Sequence, residues 1–183
     1  MRVFAQLAVL LLLPLLANAQ IRHDPLSDKE IDQLRDAAMD PNARLKLYTE
    51  FARSRLAAIE QMRVDPKTKD RAQQTHDGLR DFLDVYDELD GNIDNFEKRD
   101  ADLRKPLKFI IEADNEFQAK LRAIHDAADV TPDEFRQYEF ELSDALDTLD
   151  TSVKDHRDLL AEQEEAAKHK KKSAQAAPAR EFR

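Results

Sequence analysis

Between Leu79 and Ile124 the apolar side chains recur in steps of three and four: Leu79, Phe82, Leu83, Tyr86, Leu89, Ile93, Phe96, Leu103, Leu107, Ile110, Phe117, Leu121 and Ile124. That is the spacing of one face of an α-helix. Asp, Glu, Lys and Arg fill the gaps, so each turn has a wet side and a narrow apolar stripe. Such a stripe needs other helices to cover it. The chain has only two Gly, 37% of its residues are charged, and no stretch alternates apolar with polar for long. Strands are therefore not expected.

Punctuation divides the remainder into further helices. Ser27-Asp28-Lys29-Glu30 reads as a capping box, with Leu26 and Ile31 placed as a hydrophobic staple, and the helix is expected to run to about Met39. Asp40-Pro41 offers an N-cap followed by a proline that loses nothing at the first helical position. Asp65-Pro66 repeats that pattern and predicts the start of the next helix, with the polar stretch Lys67–Asp77 projecting from the body. The apolar rhythm passes through Gly91 without a change of phase, which favours an unbroken helix there. Proline inside a helix removes a hydrogen bond and clashes with the preceding turn. A break is therefore expected between Asp100 and Pro106, with Asp102 as the N-cap. An unbroken rod from Leu79 to Asp129 would also be about 75 Å long, too long for a bundle of this size. Thr131-Pro132-Asp133-Glu134 forms a second capping box, flanked by Val130 and Phe135, and opens the last helix. The expected fold is all-α: an elongated, antiparallel up-and-down bundle of three to five helices over residues 27–165. From Ala166 the composition turns to Lys, Ala, Gln, Ser and Pro, and a disordered tail is expected over 166–183.

The first nineteen residues have the form of a secretory signal peptide. Arg2 is followed by the apolar run Leu7–Leu16, and Ala17-Asn18-Ala19 supplies the small residues a signal peptidase needs. The run is too short to span a bilayer comfortably. A polar leader over 20–26 would follow, and the mature protein is expected in a periplasm or secreted. The chain contains no Cys, so neither a lipid-modified cysteine nor a disulfide is available, and packing alone must hold the fold.

Charge is unevenly distributed. The whole chain is at −9. Loss of Arg2 with the signal peptide takes the mature chain to −10. From Ala166 onward six basic residues stand against Glu181, giving the tail +5 and leaving the body at −15. An acidic body repels nucleic acid and anionic membrane, and no nucleic-acid partner is expected. Lys168, Lys170, Lys171 and Lys172 could instead attach the tail to an anionic envelope surface. No aromatic residue is interleaved among them to stack on bases.

Catalytic patterns are missing from the sequence. It has no thiol and no Gly-x-Ser-x-Gly elbow, and phosphate-cradling glycine loops are ruled out. No cofactor is implied, and the chain reads as a non-enzyme. His125 and Asp129 lie one helical turn apart, but two ligands do not make a metal site. His156 falls on the apolar stripe of the last helix and reads as a core or rim histidine. Residues 86–97 overlay a calcium-binding loop, with Asp90 fifth, Gly91 sixth, Ile93 eighth and Glu97 twelfth. Tyr86 stands where the first carboxylate should be, a gap that usually destroys affinity. Calcium held by Asp90, Asp94 and Glu97 is therefore the alternative function. The leading expectation is a binding, scaffold or chaperone-like module that offers an apolar groove to a protein partner or to a second copy. In general type it resembles small periplasmic helical chaperones, with no motif that assigns a family.

Overall fold

The computed structural model describes residues 24–176. The expected signal peptide and most of the polar leader lie outside them. All regular structure among the described residues is helical: α1 (Asp28–Asp36), α2 (Pro41–Val64), α3 (Arg71–Glu97), α4 (Arg104–His125), α5 (Pro132–Phe135) and α6 (Glu139–Ala176). The four long helices form the bundle, and α1 and α5 are short pieces at its ends. None of these helices is long and apolar enough to cross a membrane.

Successive long helices alternate in direction. Arg44 of α2 bonds Asn92 of α3, while Arg63 near the end of α2 bonds Thr75 near the start of α3, so this pair is antiparallel. Lys108 of α4 pairs with Glu164 of α6, and Gln118 with Asp150, so this pair is antiparallel too. The other two sides of the square run parallel. Arg53 and Glu60 of α2 meet Glu116 and Lys120 of α4, and His76 and Asp90 of α3 meet Glu141 and His156 of α6. The helices α3 and α4, neighbours in sequence, occupy opposite corners and touch across the core, where Phe82 and Tyr86 meet Phe117 edge-on.

Capping residues explain most of the helix starts. Ser27 forms the full capping box with Glu30, and Asp40 accepts from the amides of Asn42 and Ala43 with Pro41 in the first turn. The α1 helix stops at Asp36, short of Met39. The helix α3 is continuous through Gly91. It ends in a turn where Asp100 takes a left-handed φ of 57°, the Asp100 amide donates to Glu97 O and the Ala101 amide donates to Phe96 O. These are the paired bonds of a Schellman turn. The break expected before Pro106 is present. Pro106 is the third residue of α4, where a backbone donor would have no intrahelical partner. The residue in the N-cap position is Leu103 rather than Asp102, although the Asp102 carboxylate does accept from the Arg104 amide. Gln163 of α6 clamps the crossing, accepting from the Leu103 amide and donating to Ala101 O.

Several expectations are corrected. The third helix does not begin at Asp65-Pro66: α2 ends there, Thr68 Oγ1 donates to Met62 O, and α3 starts only at Arg71. Residues 71–77 do not project, because Ala72 and Thr75 are buried. In the second capping box only one half forms. Thr131 accepts from the Glu134 amide, but the Glu134 carboxylate is held by Arg71 instead. The last helix is interrupted after α5, and α6 starts at Glu139. Residues 166–176, expected to be disordered, continue α6 as helix, and 177–183 lie outside the described residues.

The core runs the length of the bundle. Leu45, Leu56, Leu79, Phe82, Tyr86, Leu89, Leu103, Leu107, Ile110, Phe117, Leu121 and Tyr138 are all fully buried. Among the described residues the large exposed apolar side chains are Met39, Val64 and Phe140, which do not form one groove. Among the described residues the apolar stripes of the long helices pack on one another.

Candidate functional site

Five polar side chains converge where α3, α4 and α6 meet. Helix α3 contributes Tyr86 and Asp90, one turn apart on one face; α6 contributes Ser152 and His156 with the same spacing; α4 contributes Asp114. Asp114 is fully buried, and His156 is 4% exposed. His156 Nδ1 lies 2.9 Å from Asp114 Oδ2, and its Nε2 lies 3.1 Å from Asp90 Oδ1. Tyr86 donates its hydroxyl to Asp114 Oδ1 at 2.7 Å, and Ser152 donates to Asp90 Oδ2 at 2.5 Å. All four carboxylate oxygens have a partner.

Burial alone would lower the pKa of the imidazole. The hydrogen bonds and charges of Asp114 and Asp90 outweigh it and hold the group at about 9, above its ordinary 6.5. His156 is thus a cation at neutral pH, with both ring nitrogens donating. Burial, followed by the negative charge of Asp114 and Asp90, pushes the Tyr86 hydroxyl far above its ordinary value. No Lys or Arg bonds either carboxylate among the described residues, so the imidazolium is the positive centre of the set.

The network is closed toward the core and opens outward into a cleft of about 310 Å³ between α3 and α6. Asp94, Glu97, Asp155, Asp158 and Glu162 line its rim, and no cationic side chain other than His156 does. On the same side, burial and the neighbouring Asp90, Asp84 and Asp144 raise the Asp87 pKa.

The calcium reading is not supported by this arrangement. Residues 86–97 are uninterrupted α-helix rather than a loop, so their carboxylates and carbonyls cannot wrap an ion. Asp90 is held by Ser152 and His156, while Asp94 and Glu97 stand on the rim of the cleft. No three acidic or histidine side chains among the described residues are grouped so as to hold a metal. His125 and Asp129 are likewise apart in their contacts: His125 bonds Asp126, and Asp129 pairs with Arg71.

The four lysines lie in the last turns of α6, beyond Gln163, the last residue that bonds the α3–α4 crossing. Lys168, Lys171 and Lys172 share one helical face, at spacings of three and four. Lys168 pairs with Glu165. Lys170, Lys171 and Lys172 are exposed and make no ion pair among the described residues. No protein-family model matches the chain, and neither a curated protein nor a solved structure is detectably similar to it.

Proposed function

We propose that the protein is an exported, non-catalytic helical interaction module that docks on an anionic envelope surface through the last turns of α6. One observation carries this reading: the last turns of α6 lie beyond the packed bundle, and Lys170, Lys171 and Lys172 there make no ion pair among the described residues. Elsewhere the long helices use their apolar faces on one another, and cross-seam pairs such as Arg53 with Glu116, Lys120 with Glu60 and Lys108 with Glu164 tie charges to the body. Lys170, Lys171 and Lys172 are left facing water. Lysines near an anionic lipid surface contribute about 1 kcal/mol each. Three to four of them give weak, reversible and salt-sensitive attachment. The acidic bundle then stands off the same surface by repulsion, which orients the protein with the lysines inward.

Co-sedimentation with vesicles tests this. Vesicles rich in phosphatidylglycerol should retain the protein at low salt and release it near 0.5 M salt, where the Debye length falls to about 4 Å. Neutral phosphatidylcholine vesicles should not retain it. Substituting Lys170, Lys171 and Lys172 by Gln should abolish retention without changing helicity. Equal binding by that variant, or no binding by the intact chain at low salt, refutes the proposal.

A further inference from the structure

The four sides of the bundle are not equally made. The antiparallel sides, α2 against α3 and α4 against α6, are the extensively packed ones, whereas α3 and α6 touch far less. Polar links join α3 to α6. His76 Nε2 meets Glu141 near the first turns, and Asp90 meets Ser152 and His156 at mid-length. Past these the side opens into the acid-rimmed cleft. Behind it lies the aromatic centre of the core, Phe82, Tyr86 and Phe117.

We propose that His156 is a proton-operated latch on the α3–α6 side, and that loss of its proton in alkaline solution releases α6 from α3 while the two antiparallel hairpins stay paired. The groups that face the imidazole come from three helices: Asp90 and Tyr86 from α3, Asp114 from α4, and Ser152 from its own helix. The protonated ring can donate to both carboxylates at once. The neutral ring has a single N–H and can serve only one. Deprotonation therefore leaves one carboxylate oxygen without its donor and removes the positive charge between two acids, with Glu97, Asp158 and Glu162 adding repulsion from the rim. The bond from Nδ1 to Asp114 lies within the packed α4–α6 hairpin. The bond from Nε2 to Asp90 crosses the thin side, so the thin side is the one that yields. A raised imidazole pKa places this event on the alkaline side of neutrality.

The chain has no Cys, so introduced cysteines take spin labels uniquely. One pair, Asp94→Cys with Asp155→Cys, spans the α3–α6 cleft. A control pair, Glu50→Cys with Glu112→Cys, spans the cleft between α2 and α4. From about pH 7 to about pH 10 the first pair should gain a longer-distance component while the control pair does not, with far-UV circular dichroism unchanged. The midpoint should coincide with the titration of the His156 imidazole followed by NMR in the unlabelled chain. His156→Gln should show the longer component already at neutral pH, without a step. If that variant does not fold, the coincidence of the two midpoints in the native chain decides. The proposal is overturned if the longer component is absent until helicity is lost, if both pairs separate together, or if the step and the imidazole titrate at different pH.

Discussion

His156 Nδ1 sits 2.9 Å from Asp114 Oδ2, with the carboxylate wholly shielded from water. A buried ion pair contributes little compared with a well-packed apolar pair, but breaking it from one side strands a charge. Asp114→Ala should therefore lower the unfolding free energy by about 3–5 kcal/mol at neutral pH. It also deprives the Tyr86 hydroxyl of its acceptor. Urea unfolding followed by circular dichroism measures the loss, and a change under about 1 kcal/mol would contradict the assignment of Asp114 as the counter-ion. In the native chain the imidazole is raised from 6.5 in the unfolded state to about 9 in the folded one. Its contribution is fully present below pH 6.5 and is lost as pH rises through about 9. It amounts to about 3 kcal/mol.

Acid should act elsewhere, on α1. Glu30 closes the capping box with Ser27 and takes two bonds from Arg55 of α2. Burial would raise its pKa, but Arg55 and Ser27 bring it down to about 2, from 4.5. A depressed carboxylate stabilises above its unfolded value and loses that contribution as pH falls from 4.5 through about 2. Local amide exchange in residues 28–36 should rise in that window before the bundle unfolds. Glu30→Gln should reproduce the effect at neutral pH, at about 1–2 kcal/mol after allowing for solvent screening.

The two glycines should respond to alanine in opposite directions. A Cβ on Gly78 would stand 2.6 Å from Cγ1 of buried Ile59, so α2 and α3 approach too closely for any side chain there. Gly78→Ala should cost about 1–3 kcal/mol by forcing the helices apart. Gly91 is a helical residue whose missing methyl would meet nothing within 4 Å. Gly91→Ala should add about 0.5–1 kcal/mol. Thermal melts of the two variants side by side settle both signs.

Asp100 holds the left-handed position that ends α3. Its side chain makes no hydrogen bond among the described residues that would compensate for the backbone conformation. Asp100→Gly should raise stability by about 0.5–1 kcal/mol, since glycine adopts that conformation without strain. A loss of stability in urea unfolding would mean that the carboxylate has a role there.

The helical class, the bundle, the continuity at Gly91 and the break before Pro106 were legible because each rests on local chemistry: period, caps and proline sterics. The start of α3 was not. Asp65-Pro66 has the letters of a helix start, yet Asp65 and Thr68 close the end of α2, and Asp70 makes the turn with a left-handed φ of 52° and no capping bond. Buried Ala72 and Thr75 were hidden because small residues leave little trace in an apolar pattern. Glu134 was read as a capping partner, and the fold gave it to Arg71, a partner 63 residues away. His156 was legible as a stripe histidine, but its partners were not. Asp114 carries a signal in retrospect: it falls between Ile110 and Phe117 in the register of the apolar stripe. A carboxylate in that register must find a counter-charge, but the sequence does not say which helix supplies it.

The crossing between α3 and α4 has a topological consequence. These two helices stand at opposite corners, so the segment 98–103 spans the end of the bundle instead of turning back along its own side. Each hairpin can close by itself, whereas the choice of which long edges meet falls to that short segment and to the Gln163 clamp. Removing even a few of its residues would force α4 beside α3. The same four rods would then pack in a different cyclic order, and Asp90 and His156 would no longer face one another.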